Sequence, residues 1–204
     1  MKPRPPQTAA IAPLFLMVFF STFLIALQER PEDEYTKAAV LVDENRFESA
    51  ITVYQALLKT FSCFTETKKS KILNNLGYCH YKQERYGEAY AYYLKALEID
   101  QNYLLCLNNI SAVLIKQNKY KEALTHLQKA FALDPQYVKV IFNLFVAYAN
   151  LEDKDSAAHY LKLAFGVDKD YTTHRLKMKN LSDKNIARIL AILEVEDKGG
   201  TAQK

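Results

Sequence analysis

The feature that most constrains this chain is a pattern of residues that recurs every 34 positions. Small residues occupy one place in three successive copies, as Ala89, Ala123 and Ala157. Four blocks share the pattern, and five extra residues separate the first from the second: 31–64, 70–103, 104–137 and 138–171. A fixed period of this length is typical of stacked supersecondary units. The chain is therefore expected to build its core from neighbouring copies of one small motif.

Each block contains two runs of apolar residues spaced three and four positions apart, which is helical spacing. In the second block the first run includes Leu76 and Gly77, and the second includes Ala89 and Tyr93. A short polar turn at residues 84–86 separates the runs. Only five Gly and six Pro occur in 204 residues, which suits helices joined by short turns. A single helix pair cannot bury its apolar face alone, so the pairs are expected to stack.

Two segments carry a family resemblance: YGEAYAYYLKALEIDQNY at 86–103 and YKEALTHLQKAFALDPQY at 120–137. Both resemble tetratricopeptide repeats. The resemblance implies an all-α fold, in which four helix-turn-helix repeats form a right-handed superhelix over residues 31–171. A C-terminal capping helix is expected to follow, and an N-terminal hydrophobic helix is expected to precede the repeats.

The regions outside the repeats divide by composition. Residues 1–8 read as a basic tail, 9–28 as a transmembrane anchor or signal sequence, and 196–204 as a disordered tail. Residues 172–195 are expected to form a basic, solvated connector and then the capping helix. Ser182 is its predicted N-cap, because Leu181 and Ile186 flank it as a hydrophobic staple.

The N-terminal segment 11–27 contains no charged residue. As a helix it would span about 25 Å, slightly less than a hydrocarbon core of about 30 Å. An uncleaved anchor is favoured over a cleaved signal, because Leu24 makes a poor cleavage site after Ala26. Basic residues precede the segment and acidic ones follow it. This predicts a single-pass protein with its repeats on the non-cytoplasmic side, most simply in a bacterial periplasm. The alternative is an exported soluble protein.

The sequence does not favour catalysis, since it has no phosphate loop, nucleophile elbow or metal-ligand cluster. Cys63, Cys79 and Cys106 form no CxxC pair, so free thiols, buried or half-buried, are expected rather than disulfides or zinc ligands. His80 occupies a core-type position. The net charge of +4 is small and dispersed, which disfavours nucleic-acid binding. No cofactor, metal or small-molecule substrate is expected.

The resemblance implies that the first helix of each repeat lines a concave groove that binds a peptide or helix of a partner protein. Carried over position by position, the candidate groove residues are Asn74, Asn75, Tyr78, Leu105, Asn108, Asn109, Ile115, Lys139, Phe142, Asn143 and Val146.

Two binding modes known in the family compete at these positions. Some members hold a chaperone tail with a clamp of Lys, Asn, Asn, Lys and Arg. Asn109 and Lys139 match that clamp, whereas Asn74, Tyr78 and Asn143 replace its other members, so the clamp is disfavoured. Asn75, Asn109 and Asn143 instead resemble an asparagine ladder that holds an extended peptide backbone. The alternative is that asparagine is simply common at this place.

The sequence therefore predicts a membrane-tethered adaptor that supports assembly of an envelope protein complex. The alternative is a soluble exported or secretion-linked chaperone that shields an apolar client segment. A mitochondrial outer-membrane receptor is disfavoured, because acidic residues follow the anchor.

Overall fold

In the computed structural model, residues 31–60 and 64–178 are described. They form helices joined by short turns, and no strand occurs in these two ranges. The helices are α1 Pro31–Asp43, α2 Phe47–Thr60, α3 Glu66–Lys82, α4 Tyr86–Ile99, α5 Leu104–Lys116, α6 Tyr120–Leu133, α7 Val138–Asn150, α8 Lys154–Val167 and α9 Lys169–Met178. The predicted all-α class is confirmed. The N-terminal apolar segment and the predicted capping helix near Ser182 lie outside the described residues.

The described residues fall into two compact units, one within residues 1–61 and the other within 62–204. In the first unit α1 packs against α2. Ala38 and Leu41 of α1 and Ala50 and Tyr54 of α2 are buried. In the second unit α3 packs on α4, α5 on α6 and α7 on α8, and each pair also contacts the next.

The turn within each helix pair uses one left-handed residue. These residues are Asn45, Glu84, Asn118 and Glu152, with φ between 59° and 62°. In each case the next residue donates its backbone N–H to a carbonyl five positions earlier, as Arg85 does to His80 at 2.9 Å. This is the Schellman ending of a helix. It recurs in all four turns, including the one between α1 and α2.

The connection between successive pairs is ordered by an aspartate at the end of the second helix. Asp100 and Asp134 accept the backbone N–H of Asn102 and Gln136 at 3.0 and 2.9 Å. Asp168 accepts that of Tyr171 at 2.8 Å. A carboxylate that bonds its own backbone a few residues on stabilises a tight turn, so the next helix begins at a fixed place.

Close contact within the α3–α4 pair depends on one small residue. A Cβ built on Gly77 would lie 2.6 Å from Cε1 of Tyr93, whose ring is fully buried. Ala89, Ala123 and Ala157 are also fully buried at the matching places of α4, α6 and α8. The prediction that these small residues mark helix contact is confirmed.

The C-terminal end of the described chain differs from the expected solvated connector. Residues 169–178 form α9, which packs against α7 and α8. Within residues 169–177 of this helix, Thr172 and Leu176 are buried, four positions apart on one helical face. Leu176 joins the apolar cluster of the α7–α8 pair. The basic residues of this segment therefore project from a packed helix rather than from a linker.

Candidate partner-binding face

The candidate site is the surface shared by α3, α5 and α7, the first helices of three successive pairs. Helix α3 contacts α5, and α5 contacts α7. Residues at the second place of these helical blocks, Lys71, Leu105 and Lys139, are all exposed. Places separated by four, seven and eleven residues lie on one side of a helix. One continuous surface thus runs across the three helices, and we call it the α3–α5–α7 face.

A chain of asparagine side chains crosses this face. Asn143 donates from Nδ2 to Oδ1 of Asn108 at 2.9 Å, and Asn109 donates in the same way to Asn74 at 3.0 Å. Longer contacts join the neighbours within a helix, from Asn108 to Asn109 at 3.5 Å and from Asn74 to Asn75 at 3.4 Å. The five amides form one directed sequence of donors and acceptors, which we call the amide chain.

The amide chain changes the role expected for the asparagine ladder. Sequence reasoning treated Asn75, Asn109 and Asn143 as groups presented to a peptide. In the structure Asn109 and Asn143 each use one N–H to bind the preceding first helix. An amide offers two N–H donors and two acceptor sites, so each keeps capacity for a second partner. Asn109 and Asn143 therefore join neighbouring helices, and the peptide contacts of the ladder stay a prediction.

The structure separates the eleven predicted residues by exposure. Tyr78, Leu105 and Lys139 are exposed, and Asn75, Asn109, Ile115 and Asn143 are half-buried. The other four are buried: Asn74, Asn108, Phe142 and Val146. The face thus presents fewer side chains than the family pattern implies.

Phe142 and Val146 are core residues, contrary to their expected place in the groove lining. Both belong to the apolar cluster that includes Leu176 of α9. The ring of Tyr171 lies 6.2 Å from that of Phe142, edge to face. Ile115 likewise packs against the apolar clusters beside α7. The physical reason is α9, which covers the surface of α7 that the sequence leaves open.

Arg175 of α9 is a further candidate residue, and sequence reasoning missed it. Its guanidinium carbon lies 5.5 Å from the centroid of the Phe142 ring, in a cation–π contact. Its Nε is buried and has no hydrogen-bond partner among the described residues. Burial raises the pKa of the Tyr81 hydroxyl, and the positive charge of Arg175 acts in the opposite direction. Arg175 is therefore within electrostatic reach of both α3 and α7. The available sequence signal was the basic run 174–179.

The buried cysteines and His80 offer no reactive group to this face. Burial raises the pKa of the Cys79 and Cys106 thiols to about 12. The Cys106 thiol donates to the carbonyl of Tyr93 at 3.3 Å. Both cysteines are free and buried, as predicted, while Cys63 lies outside the described residues. His80 is buried and stacks on Tyr92 at 5.2 Å.

Neither a metal site nor a membrane-spanning helix is found within residues 31–60 and 64–178. No group of three or more His, Cys, Asp or Glu is placed there to hold a metal ion. None of the helices in these ranges is long and apolar enough to cross a bilayer. The segment 9–28, on which the anchor was predicted, lies outside them.

Two family models identify the sequence pattern. Both are described as tetratricopeptide repeat, and they match residues 68–136 and 114–176. The matched stretches overlap and together extend from α3 to α9. No curated protein matches the chain significantly.

Several solved structures share the fold. A fragment of MamA from Desulfovibrio magneticus RS-1, residue 41 to its end, has a TM-score of 0.64 and 17% identity, covering 86% of this chain and 98% of its own. YrrB, a TPR protein described as having an unusual peptide-binding site, has a TM-score of 0.61 and 20% identity, with coverages of 84% and 89%. The first TPR of Spaghetti (RPAP3), bound to the HSP90 peptide SRMEEVD, has a TM-score of 0.53 and 21% identity. The match covers 61% of this chain and 95% of that one. At these identities the likeness establishes the fold alone.

Proposed function

Since residues 68–176 of this chain belong to the tetratricopeptide repeat family, we propose that the protein is an adaptor that binds an extended segment of another protein across the α3–α5–α7 face. Tetratricopeptide repeats act as protein–protein interaction modules. Two proteins of similar fold are described by their peptide sites or bound peptides. The chaperone-tail clamp is not part of this proposal, because Asn74 and Asn109, at two of its places, are bonded to each other.

The observation that carries the proposal is the amide chain, flanked by exposed side chains. Packed helices lie about 8–10 Å apart, and an extended peptide advances about 3.3 Å per residue. The half-buried asparagines of α3, α5 and α7 would therefore meet the peptide at about every third residue. Their remaining donors and acceptors suit a backbone N–H and C=O. Tyr78 and Leu105 add exposed apolar surface for side-chain selection.

The proposal assigns four repeats to the chain. The family models reach only the last three. The α1–α2 turn nevertheless has a left-handed residue at the matching place, and the next residue donates its backbone N–H to the carbonyl five positions earlier, as in the other turns. Asn45 precedes Glu84 by 39 positions, which is one repeat plus the five extra residues.

The proposal also includes a tether. Residues 9–28 would hold the protein in a membrane, with the repeats on the non-cytoplasmic side, where the adaptor would support an envelope complex. The warrant is the uncharged segment 11–27 and the charges on either side of it. Intact-mass measurement on protein from the membrane fraction tests this part. A chain that begins near Leu27 would favour the soluble exported alternative instead.

Photo-crosslinking in the native host tests the binding face. A photoreactive phenylalanine analogue replaces Tyr78 or Leu105 in one set of variants. It replaces Leu133, exposed on the second helix α6, in the control. We expect Tyr78 and Leu105 to capture the same partner, at residues within one short segment of it. Adducts that form only from Leu133 would reject this face as the binding site.

A further inference from the structure

Helix α9 covers one end of the α3–α5–α7 face. The ninth place of each block is exposed in α3, as Tyr78, half-buried in α5, as Ala112, and buried in α7, as Val146. The fifth place of the α7 block is Phe142, which is also fully buried. Both α7 residues share an apolar cluster with Leu176 of α9. The chain therefore fills, with one of its own helices, the surface that continues the face beyond the amide chain.

The contacts of α9 show how far it extends over the first helices. The ring of Tyr171 meets that of Phe142 edge to face, and the guanidinium of Arg175 lies over the same ring. Burial raises the pKa of the Tyr81 hydroxyl on α3, and the charge of Arg175 acts against this rise. Tyr81 is the twelfth residue of its block, a place that the family pattern assigns to the groove. Helix α9 thus contacts α7 and lies within electrostatic reach of α3.

Helix α9 is attached through few buried side chains. Among residues 169–177, whose side chains are described, only Thr172 and Leu176 are buried. The Thr172 hydroxyl donates to the carbonyl of Asp168 at 2.7 Å, at the start of its own helix. Tyr171 is half-buried and packs against the same apolar cluster as Leu176. The apolar attachment of α9 to the α7–α8 pair is therefore concentrated in Tyr171 and Leu176.

Two further features favour release of α9 from this position. Helix α8 ends at Val167 and α9 begins at Lys169. The single residue between them, Asp168, has an extended backbone, so rotation at one residue is enough to move the helix. The buried Nε of Arg175 has no hydrogen-bond partner among the described residues. A buried donor without a partner is costly, and release of α9 would return this one to water.

We propose that α9 is an internal strap over part of the partner site, and that the partner displaces it with an apolar segment. That segment places one aromatic and one aliphatic side chain on Phe142 and Val146, as Tyr171 and Leu176 do when the strap is closed. The inference rests on the proposed function and adds a ligand chemistry and a competitor within the chain. The apparent affinity for the partner is then reduced in proportion to the fraction of molecules in which α9 is released.

A peptide with the sequence of residues 169–178 is the probe, because it carries both side chains. It is labelled with a dye at its N-terminus and titrated with the full chain in detergent micelles, and binding is measured by fluorescence anisotropy. The wild-type chain should bind it weakly, because its own α9 competes at a high effective concentration. Leu176→Ala and Tyr171→Ser should each strengthen binding about tenfold, since they weaken the strap and leave the surface beneath it intact. A probe with serine at both of these positions should not bind.

A control variant and a second measurement separate release of α9 from unfolding. Lys177 is exposed on the same helix, so Lys177→Ala should bind the probe as the wild type does. Hydrogen exchange followed by mass spectrometry needs no variant. In the wild type, the amides of α9 should exchange faster than those of α7 and α8, as local opening requires. In Leu176→Ala and Tyr171→Ser, exchange in α7 and α8 should stay slow, which shows that the surface is still folded.

Two results would overturn the inference. The first is that both variants, with α7 and α8 still protected, bind the probe no more tightly than the wild type. The second is that α9 exchanges as slowly as α7, which would make it a fixed part of the fold. Neither result bears on the proposed function, which the crosslinks from Tyr78 and Leu105 test separately. Adducts from Leu133 alone would reject that function, and the partner assigned to this surface with it, even if the probe binds.

Discussion

Asn109 of α5 donates its side-chain amide to Oδ1 of Asn74 on α3 at 3.0 Å, 35 positions earlier in the sequence. Asn143 of α7 makes the same bond to Asn108 of α5. The acceptor asparagines are 5% and 7% exposed. A buried amide oxygen without a donor is costly. These bonds therefore give a structural reason for asparagines on packed helices, at positions where the sequence left open a peptide-binding ladder or a residue that is simply common there.

The first prediction concerns the energy of this bond. Asn109→Ala should lower the free energy of unfolding by about 1–2 kcal/mol, because it leaves the buried oxygen of Asn74 without its donor. Asn74→Ala in the same background should then cost less than it does alone. Urea unfolding of the two single variants and the double variant gives the coupling energy, for which we expect about 0.5–1.5 kcal/mol. Strictly additive effects would show that the bond contributes nothing to stability.

The second prediction compares two glycines. Gly77→Ala should destabilise the protein by about 1–2 kcal/mol, because overpacking against the buried ring of Tyr93 exceeds the gain in helix propensity. Gly87→Ala is the matched control, since a Cβ there meets nothing within 4 Å. It should stabilise α4 by up to about 1 kcal/mol. Equal effects in chemical denaturation would contradict the packing described here.

The third prediction concerns the left-handed turn between α3 and α4. Glu84 has a φ of 60°, a conformation that costs most L-residues about 1–2 kcal/mol. Glu84→Gly should stabilise the protein by about 0.5–1 kcal/mol after the larger backbone entropy of glycine is included. Glu84→Val should destabilise it, because a β-branched residue tolerates this region poorly. Thermal melts of both variants test the order Gly, Glu, Val.

The fourth prediction concerns the buried thiols. Because burial raises the folded-state pKa of Cys79 and Cys106 from 9.0 to about 12, the folded protein holds its thiol protons at a pH where the unfolded chain has lost them. This contribution to stability is fully present below pH 9 and decreases as the pH rises toward 12. The urea concentration at the unfolding midpoint should therefore decrease when the pH is raised from 8 to 10.5. The fall should be smaller in a Cys79→Ala, Cys106→Ala variant.

The same burial predicts thiol reactivity. At pH 8 the native chain should react rapidly with a disulfide reagent at no more than one of its three cysteines, and at all three in denaturant. Rapid native reaction of two or three would show that Cys79 or Cys106 is accessible.

The helices could be predicted because two independent periods agree. Apolar residues recur at helical spacing within each block, and the blocks recur every 34 residues. A helix boundary that is misjudged in one block is therefore corrected by the aligned positions of the other blocks. Gly77 and the aligned alanines then mark where helices approach. The sequence did not show which side chains the asparagines bond, because these partners depend on how neighbouring helices pack. The doubled asparagines at 74–75 and 108–109 were the available signal.

Helix α9 was missed because its sequence carries little amphipathic pattern. Among residues 169–177, whose side chains are described, only Thr172 and Leu176 are buried, one turn apart, among basic and polar residues. Such a segment reads as a linker until a neighbouring surface is known to receive it. That surface is α7, whose Phe142 replaces the asparagines found at the same place in α3 and α5. In place of an amide hydrogen bond, Phe142 makes an edge-to-face contact with the ring of Tyr171 and a cation–π contact with Arg175.

The most direct test of the central claim, that the α3–α5–α7 face binds the partner, compares two leucines of equal exposure. Leu105 on α5 and Leu133 on α6 are each 44% exposed, so alanine removes similar surface from the proposed face and from a second helix. Calorimetric titration with the partner segment identified by crosslinking measures both variants. Leu105→Ala should weaken binding by about tenfold, as expected for the loss of about 1.4 kcal/mol of apolar contact, and Leu133→Ala by less than twofold. Unchanged binding by Leu105→Ala together with a loss in Leu133→Ala would contradict the account.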